Sequence, residues 1–481
     1  MSNSARIAID LGAESCRVSL LRWQGNVAWI ELIHRFVNGP VHRGSSMRWP
    51  IHGILAGLEE GLRKAAALAP EGIASVAVDG WSVDYVRLSG EGQLLGEPFC
   101  YRDERTVAAR EAADRRVAPL EMFQRGGAQP LRINTVYQLL ADQPAGIDPA
   151  APWVMFPEYI LHWLGGQRVA EYTNATHTGL VDIRTADWSR ELFRRLEIPI
   201  EAAPPIVPAG AAIGKVQGPL AELAAFRHTL LIVPACHDTA SGIAGIATDL
   251  DGTAYISSGT WSLVGTMVRS ALTAPEAMEA RYTNQGAAGG GFCFHTNVNG
   301  MWVVKQCMDA WAAAGRPWKI EALVEAAAAQ PVPPGTIDVD AEPLLLDGEM
   351  PTRINAELAR RGLAAIADKP GNEPVFARLI FESLACRYAS ALAHLEQMLG
   401  GRLRRIHIFG GGSRNKLLTR LTAEHMGRPV ETGHAESSTI GNFAVQLASA
   451  EAGGQGVTAE AVRRWAARLS TETPAAEAAS E

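Results

Sequence analysis

The sequence predicts an α/β protein built from two similarly organised domains with a cleft between them. Three observations lead there. Apolar strand-type runs alternate with helical patterns along the whole chain, the arrangement of layered α/β proteins. A length of 481 residues exceeds what one ordinary core supports. Each half also opens on the same device: an apolar strand, a tight turn of glycine and small polar residues, and a returning apolar strand. The first copy is residues 7–17 (IAIDLGAESCR) and the second is residues 253–266 (TAYISSGTWSLVGT).

The elements follow in order. Strand-type runs lie at residues 6–9, 18–23, 74–78, 230–233, 253–256 and 405–409. Helical patterns lie between them at 51–68, 320–329, 374–399 and 415–426. The clearest is 374–399, where Phe376, Leu379, Ile380, Leu384, Tyr388, Leu392 and Leu395 recur at spacings of three and four. Each half later has a strand ending in a polar or glycine-rich turn, Val78-Asp79-Gly80 in the first and Phe409-Gly410-Gly411-Gly412 in the second. This repeated organisation argues for duplication. The boundary is expected near 244–250, giving domains 1–245 and 246–468. The acidic, unpatterned stretch 469–481 is expected to be a disordered tail.

Composition narrows the class. Apolar residues make up 47% and charged residues 20% of the chain, the balance of a folded soluble protein. A net charge of −7 with mixed signs argues against nucleic acid as a partner, because phosphate backbones attract basic surfaces. The six cysteines are scattered without a CxxC, so buried, reduced thiols are expected rather than a disulfide framework or a metal cage. The N-terminal residues carry no export signal and no run suits a membrane span. A cytoplasmic protein without membrane partners, monomeric or homodimeric, is the expectation.

Five stretches could carry chemistry. In the first hairpin, turn N–H groups can form an anion-binding nest, and Gly12 removes the steric block to close approach. Asp10, at a strand end, can bind Mg²⁺ directly or through water, and Arg17 adds a cationic contact. A purely structural hairpin is the alternative. The second hairpin supplies Ser257, Ser258, Gly259 and Thr260, with Trp261 read as core. In Val233-Pro-Ala-Cys-His-Asp-Thr-Ala-Ser-Gly242 an apolar strand delivers His237, Asp238 and Thr239. A carboxylate there suits a general base toward a sugar hydroxyl, with His237 orienting that hydroxyl; a helix N-cap is the competing reading. The turn 410–412 lets a flat ligand or phosphate approach, or simply packs strand against helix. It lacks the Rossmann spacing, and the chain has no GxxxxGK[ST] loop. Ser82 and Trp81 could line a polyol pocket, or be ordinary turn and core residues.

Together these residues resemble the FGGY carbohydrate kinases over residues 7–447. The specific stretches are HRFVNGP (34–40), YRDERT (101–106), EYTNAT (171–176), HDTAS (237–241), ISSGTWS (256–262) and ESSTIGN (436–442). The resemblance implies two actin-like (ribonuclease H-like) domains with ATP and a sugar between them. It implies transfer of the γ-phosphoryl of MgATP to the 1-hydroxyl of a ketose, L-rhamnulose first, with L-fuculose or a pentulose as alternatives. Asp238 would be the catalytic base. Ser82, His237, Asp238, Thr239 and Asn297 would face the sugar. Ala13, Glu14, Ser15, Cys16, Arg17, Thr260, Lys305 and Gly411 would face ATP, and Asp10 the metal.

Four departures from the family pattern stand out. Cys16 replaces a usual glycine, Ser82 another, and Lys305 a usual glutamine. The stretch GAAGGGFCFH (286–295) is less charged than in the family. Two other readings keep the fold and change the activity: a non-catalytic sugar or nucleotide sensor, and an ATPase of the chaperone or actin type.

Overall fold

The computed structural model describes residues 4–472. In the first domain, β1 (Ala5–Leu11), β2 (Ser15–Gln24) and β3 (Val27–Val37) form an antiparallel meander. The β1 side chains are all buried, as an apolar strand covered on both faces requires. Helix α1 (Ile51–Leu68) crosses over, and β4 (Ile73–Gly80) joins β1 in parallel. After a long insertion, β5 (Ala212–Lys215) and β6 (Leu230–Ile232) extend the sheet to the order β5-β6-β4-β1-β2-β3. The insertion has its own small core around Tyr137, Trp153 and Phe193.

Helix α2 (Asp238–Ala244) leads to the second domain. There β7 (Thr253–Ser258) and β8 (Trp261–Val268) form the second hairpin. Strands β9 (Tyr282–Gly286) and β10 (Phe292–Asn299) add antiparallel partners. Helices α3 (Trp302–Ala313) and α4 (Glu373–Leu399) follow. Strand β11 (Arg405–Phe409), helix α5 (Lys416–Met426) and strand β12 (Val430–Thr432) complete the order β9-β10-β8-β7-β11-β12. Leaving out the edge strands β5 and β9, the two sheets share one plan: a three-strand meander whose first strand is followed across the sheet by two parallel strands, one beyond the other. The expected α/β class with two actin-like domains and a cleft between them is what is found.

Two helices close the chain, α6 (Ser437–Glu451) and α7 (Ala459–Glu472). The sequence boundary near 245 assigns both to the second domain, yet they pack on the first sheet. Ile440, Phe443, Ala444 and Leu447 of α6 bury against Ala8, Leu21 and Ala28. Each large apolar side chain buried there contributes about 1.5–3 kcal/mol. Of the stretch expected to be a disordered tail, residues 469–472 are helical, the end of α7; residues 473–481 lie outside the described residues. All six cysteines are free. Among the described residues no helix is long and apolar enough to cross a membrane.

Candidate active site in the interdomain cleft

A cleft of about 850 Å³ lies between the domains. The first hairpin forms one wall. In its turn Gly12 N–H donates to Ser15 O at 3.2 Å, and a Cβ on Gly12 would stand 2.5 Å from that oxygen, so only glycine fits. Asn38, just past β3, braces the turn by donating from Nδ2 to Gly12 O at 2.9 Å. Ala13, Glu14, Ser15 and Arg17 line the cleft. Cys16 does not. Strand alternation turns it away from Ser15 and Arg17, and its thiol lies fully buried in the first core. Burial pushes that thiol's pKa up to about 12. Its expected contact with ATP is corrected to a packing role.

The second hairpin forms the opposite wall through Ser257, Gly259 and Thr260. The start of α3 is tied to this turn, with Met301 N–H on Gly259 O at 2.9 Å and Trp302 N–H on Thr260 O at 3.1 Å. Trp261, expected in the core, is 49% exposed and lines the cleft. Alternation explains this too: Ser262 takes the inward position and meets Tyr388 Oη at 2.7 Å.

Three carboxylates gather at the floor. Asp10, the penultimate residue of β1, lies directly opposite Arg17 on β2 and Asp79 on β4. Arg17 Nη1 lies 3.2 Å from Asp10 and 2.9 Å from Glu436, and Ser438 Oγ donates to Asp10 at 3.1 Å. Burial raises the Asp10 pKa to about 6, with Arg17 opposing and Asp238 adding to the rise. Asp79 is fully buried and held well above the usual carboxylate range, first by burial and then by Asp10. It accepts from Asn442 Nδ2 at 2.6 Å and Ser241 Oγ at 3.3 Å. Asp238 is the first residue of α2, and the N-cap position falls on His237, whose side chain makes no capping bond, so Asp238 is not the N-cap. Its carboxylate is recessed between the two walls, with 40% of the side chain still open, and burial raises its pKa to about 6 against hydrogen bonds from Thr239.

Behind Asp238 lies a buried imidazole cluster. His237 Nε2 stands 3.3 Å from Asp238 Oδ1, and its ring lies 4.2 Å, centroid to centroid, from that of His177. Gln285, from β9 of the second domain, bonds His237 Nδ1 through its amide. His295, on β10, takes a 3.0 Å bond between Nδ1 and Tyr255 Oη. Burial holds His237 and His295 at about 3 and His177 well below its usual value. All three rings are neutral in neutral solution.

The remaining expected residues sit at the periphery. Thr239 lines the cleft and donates to Asp238 at 3.2 Å. Asn297 is exposed on β10, in register with the cleft-lining Leu263, so the two share a face. Lys305, in the first turn of α3, pairs with Asp309 at 2.8 Å and feels the charge of Glu14 across the cleft. Ser82 is half-buried beside the cleft-lining Trp81. It precedes Val83, whose φ of 69° is strained for a β-branched residue. Thr135 and Gln138 clamp the Val83 carbonyl at 2.7 and 3.1 Å.

Gly411 has free space where a Cβ would be, whereas Gly410 and Gly412 would collide with Ser258. The glycine turn is therefore required by its approach to β7, and Gly410 lines the cleft.

Sequence reading missed Asp79 and Ser438, and also Arg35 and Arg102, which line the cleft. For Asp79 a signal existed: it is the last residue but one of a buried strand, as Asp10 is of the parallel strand beside it. Three acidic groups, an arginine paired with one of them, and two turn nests suit a polyanion and a hydroxylated acceptor. Among the described residues no three His, Cys, Asp or Glu side chains converge into a metal cage. The site still fits a hydrated hard cation, because Asp79 Oδ1 is buried without a partner next to Asp10, and Mg²⁺ keeps much of its water.

Known proteins of similar sequence and fold exist. The model of the FGGY family of carbohydrate kinases matches as its N-terminal domain over residues 5–245 and as its C-terminal domain over residues 254–450. A rhamnulokinase of Pectobacterium carotovorum subsp. carotovorum (strain PC1) is 33% identical over 450 residues, 92% of this chain and 87% of that protein. Among solved structures, the gluconate kinase of Lactobacillus acidophilus superposes with a TM-score of 0.76 at 17% identity, covering 98% of this chain and 96% of its own. Plasmodium falciparum glycerol kinase with ADP gives 0.74 at 12% identity, covering 97% and 94%. At those identities the structures speak for the fold.

Proposed function

Because the chain belongs to the FGGY family of carbohydrate kinases, we propose that this sugar kinase transfers the γ-phosphoryl of ATP to the 1-hydroxyl of L-rhamnulose. The observation that carries the reading is the position of Asp238, recessed in a cleft whose two walls are the two hairpins. The choice of sugar is supported by the 33% identity to a rhamnulokinase.

Phosphoryl transfer needs positioning and charge neutralisation more than covalent chemistry from the protein. The turn of residues 12–15 and the turn of 259–260 hold the phosphates from opposite sides with backbone N–H groups and hydroxyls. Arg17, fixed between Asp10 and Glu436, offsets negative charge at the mouth of the first turn. Asp238 accepts the proton of the attacking hydroxyl, which must come within about 2.6–3.2 Å of it. His237, neutral and backed by Gln285, presents its second nitrogen toward Asp238 and orients the sugar. Trp81 and Trp261 give the sugar and nucleotide flat walls. Asp10 and Asp79 would hold Mg²⁺ through water, and the cation would screen the phosphate charges. Closure of the domains excludes water, the rival acceptor.

The test is ADP release coupled to L-rhamnulose, L-fuculose, L-xylulose, L-ribulose and D-xylulose. The expected result is the highest kcat/KM with L-rhamnulose. A higher value with another ketose would replace the sugar, and ATP hydrolysis at full rate without any sugar would replace the reaction.

A further inference from the structure

Strands β1 and β4 carry polar residues at both ends in one register. Asp10 faces Asp79 at the cleft, and Arg6 faces Ser75 at the opposite end, roughly 13 Å away along the strand. Arg6 is 7% exposed. Its Nη1 donates to Ser75 Oγ at 2.7 Å, and its Nε is buried without a partner. No carboxylate pairs with it among the described residues, and burial alone lowers its pKa to about 10. A buried cation without a counter-charge is costly in any fold.

Arg6 lines a cavity of about 480 Å³ beneath α6 and α7. Trp23 and Trp465 form its aromatic wall, edge to face at 6.3 Å. Arg468 lies over both rings, at 4.8 and 5.3 Å. The indole N–H groups of Trp23 and Trp465 are, like Arg6 Nε, buried donors without an acceptor. Three unmet donors on side chains around one cavity call for an acceptor-rich, negatively charged occupant.

The cavity also communicates with the cleft. Ser75 Oγ donates to Gln446 Oε1 at 2.6 Å, Gln446 Nε2 donates to Asn442 Oδ1 at 2.8 Å, and Asn442 Nδ2 donates to Asp79 at 2.6 Å. Every link is buried, and the chain runs unbroken from Arg6 to the carboxylate floor. Helix α6 spans both ends, with Ser438 in the cleft and Glu451 at the cavity.

We propose that this cavity is a regulatory site for a small organic anion, its carboxylate or phosphate held by Arg6 and its flat apolar body by Trp23 and Trp465. An anion that engages Arg6 alters the Arg6–Ser75 bond and thereby the donors on Asp79. The binding half of the proposal does not depend on which sugar is phosphorylated.

The test uses the full chain, with benzoate, phenyl phosphate and inorganic phosphate as probes, followed by calorimetry, thermal unfolding and steady-state turnover. Benzoate or phenyl phosphate is expected to raise the unfolding temperature and to change kcat or the KM for ATP; which of the two does so identifies the anionic group. Arg6→Met is expected to weaken probe binding by about tenfold or more and to abolish the kinetic effect. Without a probe it should be at least as stable as the parent, since an unpaired buried charge is gone. Arg6→Lys, which keeps the charge but loses the planar fork, should bind with intermediate affinity. Binding unchanged in both variants would place the probes elsewhere, in the ATP cleft for instance, and overturn the site. So would the lack of a shift with all three probes. Binding without any change in turnover would overturn the regulatory role. Binding seen only when Glu477 and Glu481 are replaced by Gln would make the chain's own carboxylates the occupant and overturn an external ligand.

Discussion

Gln285 reaches across the domain boundary to the Nδ1 atom of His237. Its strand is also stitched to the first domain, with Asn284 N–H on Gly127 O at 2.9 Å and Gly286 N–H on Thr176 Oγ1 at 3.0 Å. An amide N–H on Nδ1 leaves the imidazole proton on Nε2, the atom nearest Asp238. Gln285→Met leaves Nδ1 buried and unmet, a cost of about 1–3 kcal/mol. The other tautomer then competes and turns a lone pair toward the carboxylate. Turnover should fall by roughly tenfold, about 1.4 kcal/mol, with little change in KM for ATP. Unchanged kcat and an unchanged pH profile would remove Gln285 from the positioning of His237.

Asp238→Asn keeps the shape of the floor and removes the proton acceptor. Turnover should drop by about 10²–10⁴-fold while ATP binding, measured by calorimetry, persists. A variant within a few-fold of the parent would exclude Asp238 as the base.

The pH dependence follows from burial. Asp238 titrates at about 6, above the ordinary carboxylate value, and must be ionised to accept a proton. The kcat/KM profile should therefore fall by about tenfold per pH unit below 6 and level off above it. Stability moves the other way for this group. The folded state holds the proton more tightly than the unfolded state does, so the contribution of Asp238 is lost as pH rises through 6. At pH 7 Asp238→Asn should unfold at a higher temperature than the parent in the same scan. An acid limb near 4 would show that the carboxylate is more solvated than its recessed position implies.

Cys16→Ala tests the packing role of the buried thiol. The lost volume should cost about 1 kcal/mol, read from chemical denaturation. The KM for ATP should remain within about twofold. A large rise in KM at unchanged stability would return Cys16 to the nucleotide site.

The glycine turn offers a matched pair. At Gly412 a Cβ would stand 2.1 Å from Ser258 Oγ, while at Gly411 nothing lies within 4 Å. Gly412→Ala should cost about 1–3 kcal/mol and raise the KM for ATP, because Ser258 adjoins the second turn. Gly411→Ala should stay within about 0.5 kcal/mol. Equal effects at both positions would mean that the turn does not rest on β7 through Gly412.

Local features were legible in the sequence. Helix α1 spans the residues its periodicity predicts, and β11 coincides with residues 405–409. Both hairpins formed where glycine and small polar residues interrupt apolar runs. Strand β3 was not anticipated, because only Ala28 among its residues is fully inside and its pattern does not alternate cleanly. The failures at the site have a common cause. Asp79 owes its role to Asn442, 363 positions away, and no short window contains both. Cys16 and Trp261 were misread although strand parity, applied from Arg17 and Ser262, places each on the correct side. The stretch 436–442 was noticed only as a resemblance. Its work is to bring Glu436 to Arg17 and Ser438 to Asp10, a relation between the two ends of the chain.

The return of α6 to the first sheet has a consequence for synthesis. The face formed by Ala8, Leu21 and Ala28 is covered by residues from Ile440 onward, so the first domain leaves the ribosome with that face bare. At about 5–20 residues per second, the intervening stretch of roughly 200 residues takes some 10–40 s to make. During that interval the nascent chain carries a sticky, half-finished sheet whose cover has yet to be translated. Slow stretches of messenger ahead of α6 should lower the soluble yield, whereas a chaperone that shields apolar sheet faces should restore it.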